Sequence, residues 1–300
     1  MLKQIKRNIQ NHSTNLFFTA NLASNSFRIL PTFIIIGGMK CATTALYTYL
    51  TEHPNIISAF RKEVHYFDLN YHKGLEWYRS HFPLCTNSVL RNYSSSKIIT
   101  GEASPYYMLY PHAPKRVAKL LPDVKLIAIL RNPIDRAYSH YRHQLRLGKE
   151  SLSFEEAIEK EAERLEGELE KIMHDETYTS KKKYGYYSYL LRGIYIDQLK
   201  NWFRFFKKEQ MLILKTEDLQ ENPSEIYNKV IDFLELPYYE LKRYEKIYVT
   251  TKKKAINSGR LEFSGIEKNV RRKLLDYFEP HNQRLYQYLG TDFGWGENRL

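Results

Sequence analysis

Short apolar runs recur along the chain between glycine, proline and polar clusters: Phe33-Ile34-Ile35-Ile36, Ile56-Ile57, Lys97-Ile98-Ile99-Thr100-Gly101-Glu102, Lys125-Leu126-Ile127-Ala128-Ile129-Leu130 and Met211-Leu212-Ile213-Leu214. Their length and content of β-branched residues predict buried strands. Between them the apolar spacing changes to a helical period. Helices are expected from Thr43 or Thr44 to the stop at His53-Pro54, over 74–82, from Pro114 to Leu121, from Pro133 onward, over 186–206, and from Asn222 to Leu236. Pro114, Pro133 and Pro223 suit first turns, and Glu225 is spaced to reach back to the cap at Asn222. Ser153 with Glu156 forms a capping box for an acidic helix through about Lys171, and 266–289 reads as paired helices broken at Pro280. Strands alternating with helices give an α/β fold class, with a central, mainly parallel sheet flanked by helices.

Composition narrows the setting. The chain has 300 residues, 43% of them hydrophobic, enough to bury the core of one large α/β unit. Residues 1–30 read as a basic arm: Lys3, Lys6 and Arg7 precede an apolar patch over 16–23, and no acidic residue occurs before Glu52. That patch is far shorter than the roughly 20 residues of a membrane span, and as a targeting signal it is weak. Residues 31–300 read as one domain, with 151–185 as a helical and loop insertion containing the basic run Lys181-Lys182-Lys183. The net charge of +12 implies anionic partners. Two cysteines make a disulfide framework unexpected and fit a reducing, cytoplasmic setting.

The first strand runs into Gly37-Gly38-Met39-Lys40-Cys41-Ala42-Thr43-Thr44, where a helix begins. Strand, tight loop and helix start form a phosphate-binding layout, with backbone N–H groups, one lysine and two hydroxyls converging on an anion site. A nucleotide-triphosphatase loop would place Ser or Thr directly after the lysine to hold magnesium. Here Cys41 follows Lys40, and the strand 125–130 ends in Arg131 where a metal-binding aspartate would be expected. Cations without a metal carboxylate suit a phosphorylated donor whose transferring group carries little charge.

Two further stretches carry chemistry. Arg61-Lys62-Glu63-Val64-His65-Tyr66-Phe67-Asp68 sets two carboxylates and an imidazole among aromatics, a combination suited to proton transfer, although ordinary surface ion pairs would use the same residues. Arg131-Asn132-Pro133-Ile134-Asp135-Arg136-Ala137-Tyr138-Ser139 puts an arginine at the C-terminal end of a strand and a serine two turns into a helix. Ligands of open α/β sheets bind at that edge, so Arg131 and Ser139 are placed to grip a second phosphate.

These motifs, in this order, resemble those of sulfotransferases that use 3′-phosphoadenosine 5′-phosphosulfate (PAPS), above all the heparan sulfate N- and 3-O-sulfotransferase branch, from about residue 31 to the C-terminus. The resemblance implies that Lys40, Cys41, Ala42, Thr43 and Thr44 hold the 5′-phosphosulfate, with Lys40 also stabilising the leaving phosphate oxygen. It implies Arg131 and Ser139 as 3′-phosphate contacts, joined by Ser258, Gly259 and Arg260 from a basic loop folded over the cofactor. Glu63 falls on the branch's catalytic base, His65 and Asp68 on its supporting positions, and Tyr195 on a cleft-facing tyrosine. Donor and product are then PAPS and adenosine 3′,5′-bisphosphate (PAP), with no metal required.

Two departures stand out: Ala42 occupies a position where the family often has glycine, and the last cysteine is Cys85, so a C-terminal disulfide of the heparan enzymes has no counterpart. The acceptor is expected to be a hydroxyl or amine of a carbohydrate or small molecule, with no nucleic acid partner. Two other readings remain open at this point: a nucleotide kinase with a degenerate loop, and a non-catalytic polyanion binder.

Overall fold

The computed structural model describes residues 27–84, 97–180, 182–245 and 265–296. The expected strands form at Phe33–Gly37 (β1), Ile56–Ser58 (β2), Ile99–Ala103 (β3), Lys125–Leu130 (β4) and Met211–Lys215 (β5). They make one sheet in the order β2-β3-β1-β4-β5, every pair parallel. β1 is therefore central, with Phe33 in register with Gly101 of β3 and Lys125 of β4. Gly101 is required there, because a Cβ would lie 2.4 Å from the Phe33 ring. The sheet is buried on both faces, as a parallel sheet must be. Ile34, Ile36, Leu126, Ala128 and Leu130 face a core with Tyr107, Val117 and Trp202. Phe33, Ile35, Ile127 and Ile129 face the other, with Leu46, Leu50, Tyr227 and Ile231.

The helices are Thr43–Thr51 (α1), Gly74–Arg79 (α2), Ala113–Leu120 (α3), Pro133–Arg146 (α4), Phe154–Glu159 (α5), Glu161–Leu165 (α6), Glu168–His174 (α7), Tyr184–Tyr187 (α8), Tyr195–Phe203 (α9), Thr216–Glu221 (α10), Pro223–Phe233 (α11) and Lys268–Leu289 (α12). At α4, Asn132 caps the first turn by accepting from the Ile134 and Asp135 amides, and Pro133 follows it as expected. The Ser153–Glu156 capping box is present at α5.

Several helical expectations are corrected. The acidic helix through Lys171 is three short helices, α5 to α7, parted before α7 by Gly167 at φ 69°. The long helix over 186–206 is broken into α8, a 3-10 turn at Leu191–Gly193, and α9. Packing overrides periodicity there: a Cβ on Gly193 would meet Phe278 at 2.7 Å and Pro133 at 2.9 Å, and Arg192 is buried. In the C-terminal region one helix runs through Pro280 instead of two paired helices, with Val270, Leu274, Phe278 and Leu285 buried along its length. The Asn222 side chain makes no cap bond, so Pro223 alone marks the start of α11.

Candidate active site

The loop after β1 is shaped by close packing. A Cβ on Gly37 would lie 2.6 Å from Met108 Cβ, and the Gly38 amide donates to Ile129 O at 2.8 Å, tying the loop to β4. Lys40 and Ala42 then take left-handed conformations, φ 70° and 62°. For residues bearing a Cβ that costs on the order of 1 kcal/mol each, a cost that glycine at position 42 would avoid. Ala42 precedes α1 without a side-chain cap, so the N–H groups of the first turn lack an intrahelical or capping partner. Thr43 is buried and Thr44 exposed.

Cys41 is fully buried and burial pushes its thiol up to about 11, so it is a neutral packing element. Its carbonyl accepts from Thr216 Oγ1 at 3.1 Å, and its Sγ lies 3.9 Å from the Tyr195 hydroxyl, which donates to Arg131 O at 2.8 Å. Tyr195 thus braces the loop against the end of β4 from a buried position. Arg131 reaches back: Nη1 donates to Lys40 O at 3.4 Å. Burial, then the nearby charges of Arg146 and Arg131, lower the Lys40 pKa, which makes its ammonium readier to bind an anion or release a proton. Lys40 and Arg131 therefore share one cationic edge, with Ser139 half-buried two turns into α4.

The second cluster lies on a turn that the sequence marked by composition alone. Glu63 and His65 both have left-handed backbones, φ 63° and 56°. The Glu63 amide donates to Ala103 O at 3.1 Å and the His65 amide to Ser104 Oγ at 3.1 Å, docking the turn on the end of β3. His65 Nδ1 lies 2.8 Å from Asp68 Oδ2, and Asp68 is buried. His65 Nε2 is 3.7 Å from Glu63 Oε2, while Lys62 Nζ is 2.6 Å from Glu63 Oε1. Burial alone would lower the His65 pKa, but the Asp68 carboxylate, helped by Glu63, outweighs it and raises it to about 9. The nearby His65 imidazolium, opposed by desolvation and reinforced by Lys62, lowers Glu63 to about 2. Glu63 is thus ionised, with its basicity held down by two cations.

Sequence reasoning missed the support beneath this turn and the wall beside it. Glu102, Ser104 and Tyr107 hold the turn; Ser104-Pro105 just past a strand's C-terminal end was the available signal. On α4, Arg146 Nη2 lies 2.8 Å from His143 Nδ1, and the charges of Lys40 and Glu63 both act on His143, whose pKa burial lowers to about 4. Ser258, Gly259 and Arg260 lie outside the described residues. Among the described residues no group of three or more His, Cys, Asp or Glu could hold a metal ion.

The ion pairs make a stability prediction. His65 is raised from 6.5 to about 9, so its contribution is complete below pH 6.5 and lost as pH rises through 9; Glu63 is lowered, so its contribution is complete above 4.5 and lost as pH falls toward 2. Glu63 is 46% exposed, so solvent screens its share. The melting temperature of the wild type should fall between pH 6.5 and 9 by on the order of 2 °C more than that of His65→Asn. Parallel slopes in the two proteins would contradict the pairing.

Residues 30–274 match the sulfotransferase domain family. The chain belongs to the sulfotransferase family. It is 32% identical to mouse heparan sulfate glucosamine 3-O-sulfotransferase 3A1, over 92% of this chain and 67% of that protein. It is 28% identical to the membrane-associated sulfotransferase kil1 of Dictyostelium discoideum, over 89% of this chain and 66% of the relative. It is 32% identical to the bifunctional heparan sulfate N-deacetylase/N-sulfotransferase 1 of Caenorhabditis elegans, over 87% of this chain but only 30% of that protein. Among solved structures, the sulfotransferase from Alicyclobacillus acidocaldarius superposes with a TM-score of 0.65 at 26% identity, covering 89% of this chain and 99% of that one. These matches place the chain with sulfotransferase enzymes rather than nucleotide kinases, in agreement with the motif order.

The cytoplasmic expectation does not survive these matches, since one similar sulfotransferase is described as membrane-associated and others act on heparan sulfate. The expectation rested on cysteine usage, which reports whether a fold needs disulfides and not where the protein resides. Among the described residues no helix is long and apolar enough to cross a membrane.

Proposed function

We propose that this sulfotransferase moves a sulfuryl group from PAPS to a hydroxyl or amine of a carbohydrate acceptor, with Glu63 as general base and Lys40 at the leaving phosphate. The observation that carries the reading is one sheet edge bearing both a cationic, left-handed loop and an ionised glutamate backed by a His–Asp pair. The uncapped N–H groups at the start of α1, the Lys40 ammonium and the Arg131 guanidinium are all donors, which fits an anionic bisphosphorylated nucleotide. Carbohydrate is the favoured acceptor class because the similar 3-O- and N-sulfotransferases are heparan sulfate enzymes. We read residues 31–300 as the catalytic domain, 1–30 as a basic arm and 151–185 as an insertion. Ser258, Gly259 and Arg260 are proposed to join Arg131 and Ser139 around the 3′-phosphate.

In this mechanism the acceptor oxygen or nitrogen bonds to sulfur as the bond from sulfur to the bridging phosphate oxygen breaks. Glu63 takes the acceptor's proton, and Lys40 neutralises the charge that develops on the departing oxygen. A sulfuryl group carries less charge than a phosphoryl group, so positioning and fixed cations supply much of the catalysis. Glu63 must first become a stronger base. An acceptor that covers the turn withdraws the carboxylate from water, and one that displaces Lys62 removes a stabilising cation; both raise its pKa toward a useful range. His65, held by Asp68, keeps the carboxylate oriented.

The test is transfer of labelled sulfate from PAPS to a panel of glycans bearing free hydroxyls and amines, with labelled ATP and magnesium in parallel. Sulfate incorporation without phosphate incorporation is expected. Phosphate transfer alone would overturn the reading.

A further inference from the structure

Glu102, at the end of β3, is fully buried and has no cationic partner among the described residues. Its contacts are hydroxyls. Oε1 accepts from Tyr78 at 2.7 Å, Oε2 accepts from Ser104 at 2.7 Å, and the Tyr107 hydroxyl lies between the two oxygens at 3.2 and 3.3 Å. A hydroxyl has one hydrogen to give, so Ser104 and Tyr107, each donating to the carboxylate, are left facing outward as acceptors. Both acceptors are used by the catalytic turn: the His65 amide donates to Ser104 Oγ at 3.1 Å and the Tyr66 amide to the Tyr107 hydroxyl at 2.7 Å.

We propose that Glu102 is a positioning residue for the transfer reaction: it orients the Ser104 and Tyr107 hydroxyls so that they latch the His65 and Tyr66 amides and hold Glu63 in its left-handed turn. The inference rests on the reading above, in which Glu63 is the base. Left-handed conformations at Glu63 and His65 each cost on the order of 1 kcal/mol and persist only where the surroundings impose them. The two latches, with the Glu63 amide on Ala103 O, impose them from one segment. A glutamine at 102 has nearly the shape of glutamate, but its NH2 group donates. Where that group faces Ser104 or Tyr107 the hydroxyl must reverse, and its hydrogen then points at the His65 or Tyr66 amide it had accepted from.

Protonation has the same consequence as amidation. Burial raises the Glu102 carboxyl to about 7 against the opposing hydroxyl bonds, with the Asp68 charge adding to the rise; Tyr78, Tyr107, Tyr47 and Asp68 are the titratable groups whose interactions with it are resolved. Three shifted groups of the site lie away from that range, Glu63 at about 2, His143 at about 4 and His65 at about 9, while burial and neighbouring cations lower Lys40.

The experiment compares wild type, Glu102→Gln, Ser104→Ala and Glu63→Gln for kcat, for kcat/KM across pH, for affinity for PAP, and for melting temperature. A latch misplaced by about 1 Å can cost two orders of magnitude in rate, so Glu102→Gln and Ser104→Ala are expected to lose at least ~10-fold in kcat while binding PAP within about twofold of wild type. Wild-type kcat/KM, which reports the free enzyme, should fall as pH drops through about 7, and Glu102→Gln should lack that limb. Wild-type kcat and pH profile in Glu102→Gln would overturn the inference, as would losses of kcat and PAP affinity in equal measure. Should Glu102→Gln fail to fold, full kcat in Ser104→Ala overturns it. Full turnover in Glu63→Gln would instead remove the base assignment itself.

Discussion

Glu63→Gln should turn over at least ~100-fold more slowly than wild type and still bind PAP with nearly unchanged affinity, because a positioned general base contributes about 10²- to 10⁴-fold. The substitution keeps the shape of the side chain and removes its capacity to take a proton. It also leaves Lys62 and His65 without the carboxylate they flank, at 2.6 and 3.7 Å, so a small change in stability accompanies the loss. The split between turnover and binding is what separates a catalytic carboxylate from a surface ion pair. Steady-state kinetics with saturating PAPS, paired with calorimetric titration of PAP, measures both. Retained turnover would return Glu63 to the bland reading that its sequence neighbourhood also allowed.

Lys40→Ala should be the second large effect, a loss of about 10²- to 10³-fold in kcat, the scale of removing one preorganised charge stabiliser from a reacting centre. Lys40 is singled out because its ammonium is partly withdrawn from water and crowded by Arg131 and Arg146, so its charge is incompletely solvated before any ligand arrives. In the proposed mechanism a departing phosphate oxygen supplies the missing counter-charge. Lys40→Arg should recover little, since a planar guanidinium on a left-handed backbone cannot reproduce a point charge at the same place. Single-turnover measurement of sulfate transfer checks this; a rate within a few-fold of wild type in Lys40→Ala would contradict the role.

The sheet could be read from the chain because each strand is an apolar run that ends in a residue with a different job: Gly37, Arg131 or the pair Ala103-Ser104. Residues of one strand divide between two cores, as Ile34 and Ile35 do, and this is why the runs are continuous instead of alternating. The residue types of the candidate site were visible, in Lys40, Glu63, His65, Asp68 and Arg131. Its geometry was not. Nothing in Glu63-Val64-His65 announces two left-handed residues, and a glutamate at 102 inside a strand looks like any outward-facing polar position until Tyr78, Ser104 and Tyr107 are seen around it. The helical errors have one cause. Gly193 fits between Phe278 and Pro133, and Pro280 is carried within a helix whose apolar face is packed before and after it; in both places tertiary contact outweighs local preference. Compartment was misjudged for a different reason, because two cysteines constrain the fold and say nothing of location.

The central claim is that Lys40 and Arg131, joined at one edge through the Lys40 carbonyl, grip a nucleotide that carries phosphate at both its 5′ and 3′ positions. Calorimetric titration of wild type and Arg131→Ala with PAP and with ADP tests it most directly. A charge-assisted phosphate contact is worth about 1.5–3 kcal/mol, so wild type should bind PAP at least ~10-fold tighter than ADP, and Arg131→Ala should cut that preference ~10-fold or more while leaving ADP affinity nearly unchanged. Equal affinity of the wild type for PAP and ADP would contradict the account.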